Sequence, residues 1–172
     1  VPQRGRRRER RPPPGRGGRQ RRPGPGLSHR RAARSAVAAI RHDDQEFAGI
    51  LRGALDSEED PGDALAARTR NLAGILRASE WAGGCPVTAT ALGTAGRAPD
   101  IQQAAAEAFA RRRELVHAGL TAAGIAEDDA RELAHPVVSP LEGAEPAARV
   151  SRGEEPLHTA GRRLARLISC YR

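Results

Sequence analysis

The sequence predicts an all-α fold, and three observations predict it. Beyond Ser35, apolar residues recur at steps of three and four, the spacing that gathers side chains on one face of a helix. No stretch alternates apolar and polar residues with the period of two that a half-buried strand shows. Ala and Arg abound while β-branched residues are sparse, which favours helix.

The elements follow in order. Val37, Ile40, Phe47, Ile50, Leu51 and Leu55 trace a first helix from about Ser35. "DSEEDPGD" at 56–63 breaks it, and Pro61 suits a first helical turn with Asp60 as cap. A second helix carries Leu65, Leu72, Ile75 and Leu76 and ends around Trp81. "AGGCP" is a turn in which Gly83 and Gly84 permit positive φ. A short apolar helix follows from Val87. The clearest helix runs from Asp100 to Ala123, with Ile101, Ala105, Ala108, Phe109, Arg112, Leu115, Val116 and Leu120 on one face and Gly124 ending it. A further segment starts near Glu127, and a last helix near Glu154 carries Leu157, Leu164, Leu167 and Ile168. The chain holds two Phe, one Trp and one Tyr, so its core must be built from Leu, Ile, Val and Ala.

Residues 1–34 read as a disordered basic segment ahead of this helical domain, which spans 35–172. From Pro2 to Gly26 there is no apolar side chain of the core-forming kind; these 25 positions hold six Pro, six Gly and ten Arg. Such a segment cannot offset an ordering entropy of ~1–2 kcal/mol per residue. Residues 1–34 carry 13 Arg against one acid, a net of +12, and the rest of the chain is mildly acidic at −4, which together make the net +8. All 29 basic residues are Arg, the codon signature of a GC-rich bacterial genome. An arm of this charge attracts polyanions, so non-specific nucleic-acid binding is the alternative function.

Several classes find no support. Cys85 and Cys170 make neither a disulfide framework nor a zinc spacing. No apolar run reaches transmembrane length, so the expectation is a cytoplasmic protein with no membrane partner. No phosphate loop, nucleophile elbow or paired-carboxylate motif is present. The reading is not an enzyme, with no cofactor and no metal.

"GCPVTATALGTAGRAPDIQQAAAEAFARRRELVHAGLTAAGIAEDDARELA" from Gly84 to Ala134, "LEGA" at 141–144 and "LHTAGRRLARLI" at 157–168 occur in a characteristic order and spacing. Together they resemble the C-terminal domain of TetR/AcrR-family transcriptional regulators, the LmrA/YxaF-like group in particular, over roughly residues 45–170. The resemblance implies a TetR-like helical bundle that binds a small effector and forms a homodimer through its last two helices. It also implies a helix-turn-helix upstream that reads DNA as a dimer.

This sequence departs from that pattern where the helix-turn-helix should lie. "GLSHRRAARSAV" stands in place of the family's tyrosine–histidine–phenylalanine run, and residues 2–26 cannot build the required hydrophobic core. Residues 1 to about 40 read either as an out-of-frame translation of that domain or as a natural basic tail. Sequence-specific DNA binding is therefore expected to be lost, leaving DNA as a partner at family level only.

Candidate site residues follow. Trp81 and Phe109 are the large aromatics of the matched region and suit a pocket for a small apolar or amphipathic effector. Arg112 falls on the apolar face of its helix, either snorkelling or anchoring an acidic effector. His117 lies on the helix that lines the family's cavity. Cys85, between Gly84 and Pro86, suits a packing or capping role better than redox chemistry. The resemblance places the dimer interface at Leu141, Leu157, Leu164, Leu167 and Ile168. Pro136, Pro140 and Pro146 fall inside the penultimate helix, and Glu145 stands where an apolar residue is expected. A break near 135–140, another near 145 and a weakened dimer are the expectations.

Overall fold

The computed structural model describes residues 25–57 and 60–172. These form six helices with no strand among them: α1 Pro25–Ser57, α2 Pro61–Ala78, α3 Pro86–Gly93, α4 Pro99–Ala122, α5 Glu127–Ser151 and α6 Glu155–Ser169. The basic segment 1–24 and the Leu55 side chain lie outside the described residues.

Helix α1 begins ten residues before Ser35, so the expected boundary between 34 and 35 falls inside it. The apolar periodicity of α1 marks where it is buried, not where it starts. Pro25 suits the first helical turn, and after Gly26 no Gly or Pro occurs until Gly49. The Asp60 cap is as expected: its Oδ1 accepts from the Gly62 and Asp63 N–H groups at 2.7 and 3.1 Å.

The turn after α2 differs from the glycine reading. Left-handed backbone falls on Glu80 and Trp81, with φ of 53° and 64°, and Gly84 takes φ 151°. The Glu80 N–H donates to the Arg77 carbonyl and the Trp81 N–H to that of Leu76, a Schellman closure made without glycine. The same pair of bonds closes α4, where Gly124 does supply the positive φ and Ile125 packs after Leu120.

Helix α5 corrects the strongest sequence expectation. It runs unbroken from Glu127 to Ser151 through Pro136, Pro140 and Pro146. All three prolines lie on its exposed face. Their missing N–H groups are on the water side, while Leu133, Ala134, Val137, Val138, Ala144 and Ala148 are buried on the other. Packing of that buried face sustains the helix against an interior-proline cost of ~3 kcal/mol each.

Helix α2 packs most extensively on α6, and α4 on both α1 and α5. The α2–α6 contact is close because Gly161 lies against Thr69 and Ala66, and Gly62 against Ala165. The buried apolar residues form three clusters. One joins Ile40, Val87, Ile101, Ala104, Ala105 and Ala108 across α1, α3 and α4. A second joins α2, α5 and α6 through Ala73, Leu76, Ala144, Ala148 and Leu157. The largest includes Leu51, Leu65, Val116, Leu120, Leu133 and Ile168. Ile75, read as part of the apolar face of α2, is 49% exposed.

Candidate functional site

Four helices each interrupt a buried apolar stripe with one charged residue. On α1 it is Asp44, between Ile40 and Leu51; on α2 it is Arg68, between Leu65 and Ala73. On α4 it is Arg112, between Ala108 and Val116, and on α5 it is Glu145, beside Ala144 and Ala148. These positions fall between the three apolar clusters, and the residues around them form one charged centre.

Arg112 is its hub and is 1% exposed. Its Nη1 donates to Glu142 Oε1 at 2.5 Å and to Cys85 Sγ at 3.4 Å, and its Nη2 to Asp43 Oδ2 at 3.1 Å. Its Nε stands 3.6 Å from Asp44 Oδ1. The guanidinium lies over the Phe47 ring, 4.1 Å from its centroid, and 5.5 Å from that of Phe109. Arg111 Nε reaches Asp44 Oδ2 at 2.6 Å, and Thr88 Oγ1 donates to Glu142 Oε2 at 2.7 Å. Every carboxylate oxygen that faces Arg112 thus belongs to the protein, and snorkelling does not describe this side chain.

The electrostatics follow from burial. Burial opposes ionisation of Arg112, but Cys85 and Glu142 beside it hold its pKa above the ordinary arginine value, so it stays charged. Burial pushes Glu145 up, and the like charge of Glu142 adds to it. Burial also pushes Asp43 up, against the pull of Arg112. Cys85 is raised by burial and by Glu142, the opposite of an activated thiol. Cys85 stands at the N-cap of α3 without a side-chain capping bond, so its role is packing.

Arg68 differs from Arg112. It is 8% exposed, and burial lowers its pKa. Its Nη1 donates to Asn71 Oδ1 at 3.2 Å, its Cζ lies 5.7 Å from the Phe47 centroid, and its buried Nε has no acceptor.

The structure brings together only part of the sequence-predicted set. Phe109 and Arg112 meet at the charged centre. Trp81 is half-buried against the α2–α5–α6 cluster. His117 stands 3.0 Å from Glu127, in a separate recess of about 190 Å³ with Arg131 and His135. Of the expected interface residues, Leu157, Leu164 and Ile168 are buried within the protomer's own core, and Leu141 and Leu167 pack against it. Sequence reasoning missed Asp43, Asp44, Phe47, Arg68 and Glu142; the available signal was the charged interruption of each apolar stripe.

The helical order, the Gly-Cys-Pro turn ahead of a short helix and the charged centre between α1, α2, α4 and α5 characterise this helical domain. The family model "Transcriptional regulator LmrA/YxaF-like, C-terminal domain" matches residues 61–163, from the start of α2 into α6. The chain belongs to this family and carries a TetR-family C-terminal domain. No curated protein and no solved structure matches it. Among the described residues no helix is long and apolar enough to cross a membrane.

Proposed function

We propose that this chain is the effector-binding and dimerisation part of a ligand-responsive, TetR-like repressor. One observation carries the reading: a domain of this family places a charged centre, flanked by Phe47 and Phe109, where four helices meet. Binding sites combine apolar surface with convergent polar groups, and this centre joins two aromatic rings to a cluster of charged side chains. The effector is a small amphipathic molecule held by Phe47, Phe109 and the polar groups between them. Trp81 and His117 lie outside this contact set. A thermal-shift screen of small aromatic compounds tests the reading. A hit should lose its effect when Phe109 is replaced by Ala; hits indifferent to Phe109 and Phe47 would move the site elsewhere.

The dimer surface in this reading is the outer face of α5. Pro136, Ser139, Pro140, Gly143, Pro146, Ala147 and Val150 are exposed and share one face at heptad-like spacing. From Pro136 to Ala147 no exposed position is charged, and Val150 is 86% exposed. An uncharged helical face of this length suits a self-complementary two-fold contact. Sedimentation of Ala147→Glu/Val150→Glu as a monomer at concentrations where the parent chain dimerises is the expected result.

Sequence-specific DNA recognition is lost in this reading because residues 2–26 supply no core for a helix-turn-helix. Arg30, Arg31 and Arg34 are exposed on α1, which supports the second reading of salt-sensitive, sequence-blind binding. Mobility shifts on random DNA at two salt concentrations test it. Retained discrimination between sequences would argue against both statements.

A further inference from the structure

We propose that Arg68 anchors the anionic head group of the domain's ligand, an organic acid with an aromatic or other flat apolar body; this rests on the effector-binding reading above. The sequence offered Arg112 for that task. Carboxylates already crowd Arg112: its terminal nitrogens bond to Asp43, Glu142 and Cys85, and Asp44 stands 3.6 Å from its Nε, although that Nε, like the Nε of Arg68, has no hydrogen-bond partner. An incoming anion at Arg112 would have to displace three carboxylates.

Arg68 is the other buried guanidinium of the centre, and it is under-satisfied. It offers five N–H donors, of which one bond, to Asn71, is made by a terminal nitrogen. No carboxylate of the described residues comes within ion-pair distance of it, and its Nε–H is buried without an acceptor. A buried charge left in this state carries a desolvation penalty that a bound oxyanion removes. The guanidinium fork accepts a carboxylate or sulfonate through two parallel N–H···O bonds. The Phe47 ring centroid lies 5.7 Å from the Arg68 Cζ and 4.1 Å from that of Arg112, which places an aromatic side chain beside the anchor. Glu145, and after it Asp43, are the acids whose charge Arg68 feels and that an anion there must approach. Burial and Glu142 push the Glu145 carboxyl toward the neutral form, which reduces the repulsion.

Two fluorescent probes separate the head group from the body. 8-Anilino-1-naphthalenesulfonate carries a sulfonate, and N-phenyl-1-naphthylamine is the same ring system without it. Both are titrated into the full chain and into Arg68→Gln, Arg68→Lys and Glu145→Gln, each checked for helicity by circular dichroism. The sulfonate should bind the parent chain more tightly. Arg68→Gln should weaken it about tenfold or more, the loss of a charge-assisted pair, and leave the neutral probe within about twofold. Arg68→Lys should recover part of the loss, and Glu145→Gln should keep or tighten sulfonate binding. Equal sulfonate affinity in the parent and Arg68→Gln, with the neutral probe still bound near Phe47, overturns the anchor and leaves the effector reading standing. Failure of both probes to bind at one site per protomer overturns both.

Discussion

Arg112 shows how one side chain can be costly and structural at once. A buried guanidinium is tolerated because three carboxylates and an aromatic face surround it. Removing it leaves Asp43 and Glu142 without their counter-ion, while Asp44 keeps Arg111. Arg112→Met should therefore destabilise the domain by ~3–5 kcal/mol, the cost of stranding a buried charge. Urea unfolding at neutral pH checks this, and adding Asp43→Asn and Glu142→Gln should restore part of the loss. A second prediction at this scale concerns pH. Glu145 faces Glu142 on its own helix, Arg112 on α4, Asp43 on α1, Arg68 on α2 and the Cys85 N–H. Its pKa and that of Asp43 are raised in the folded state, so the folded protein holds these protons more tightly than the unfolded chain does. Their contribution to stability then falls as pH rises from the ordinary carboxylate range through the raised values, and returns on acidification. Glu145→Gln should raise the melting temperature at pH 7 and flatten the pH dependence above pH 5. A lower melting temperature at pH 7 would contradict the burial argument.

At the scale of the element, α5 and the α2–α6 pair show opposite lessons about sequence signals. Three prolines do not break α5, because each falls on the face turned to water while the buried face keeps its packing. Replacing all three by Ala should therefore add little helix signal in far-ultraviolet circular dichroism. A gain equivalent to one or more new helical turns would show that α5 is interrupted. Gly161 has the reverse character, inconspicuous in sequence but tightly placed. A Cβ there would stand 3.2 Å from the Thr69 Cβ, 3.3 Å from the Ala66 Cα and closer still to the Thr69 hydroxyl, which is already bonded to the Ala66 carbonyl. Gly161→Val should cost ~1–3 kcal/mol by forcing α2 and α6 apart. Gly74, also on α2, has open space where its Cβ would lie, so Gly74→Ala should stabilise by ~0.5–1 kcal/mol. If both substitutions act alike in thermal unfolding, close helix approach is not what Gly161 serves.

For the whole molecule, the helices were legible because their signals are local. Apolar spacing, the Asp60–Pro61 start and Gly124 fix five of the six elements to within a few residues. The start of α1 was not legible, because residues 25–34 are compatible with helix but show no apolar periodicity to announce it. The site was only partly legible. Arg112 and Glu145 stand out singly as charges in apolar stripes, but pairing them with Asp43, Asp44 and Arg68 needs the angles at which four helices cross. Those angles are set by contacts far apart in sequence. The placement of Trp81 was not legible for the same reason: its aromatic surface is visible in the sequence, and its packing against the α2–α5–α6 cluster is not. The family supplies a regulatory role, and its ligand is proposed to lie at the charged centre. Hydrogen–deuterium exchange with the strongest hit of a thermal-shift screen tests that assignment most directly. The account predicts added protection at 40–51 of α1, 65–72 of α2, 105–116 of α4 and 138–148 of α5, together. Protection confined to α1 and α4, which line an outer groove of about 640 Å³ that includes Asp44 and Arg111, with 65–72 of α2 and 138–148 of α5 unchanged, would contradict it.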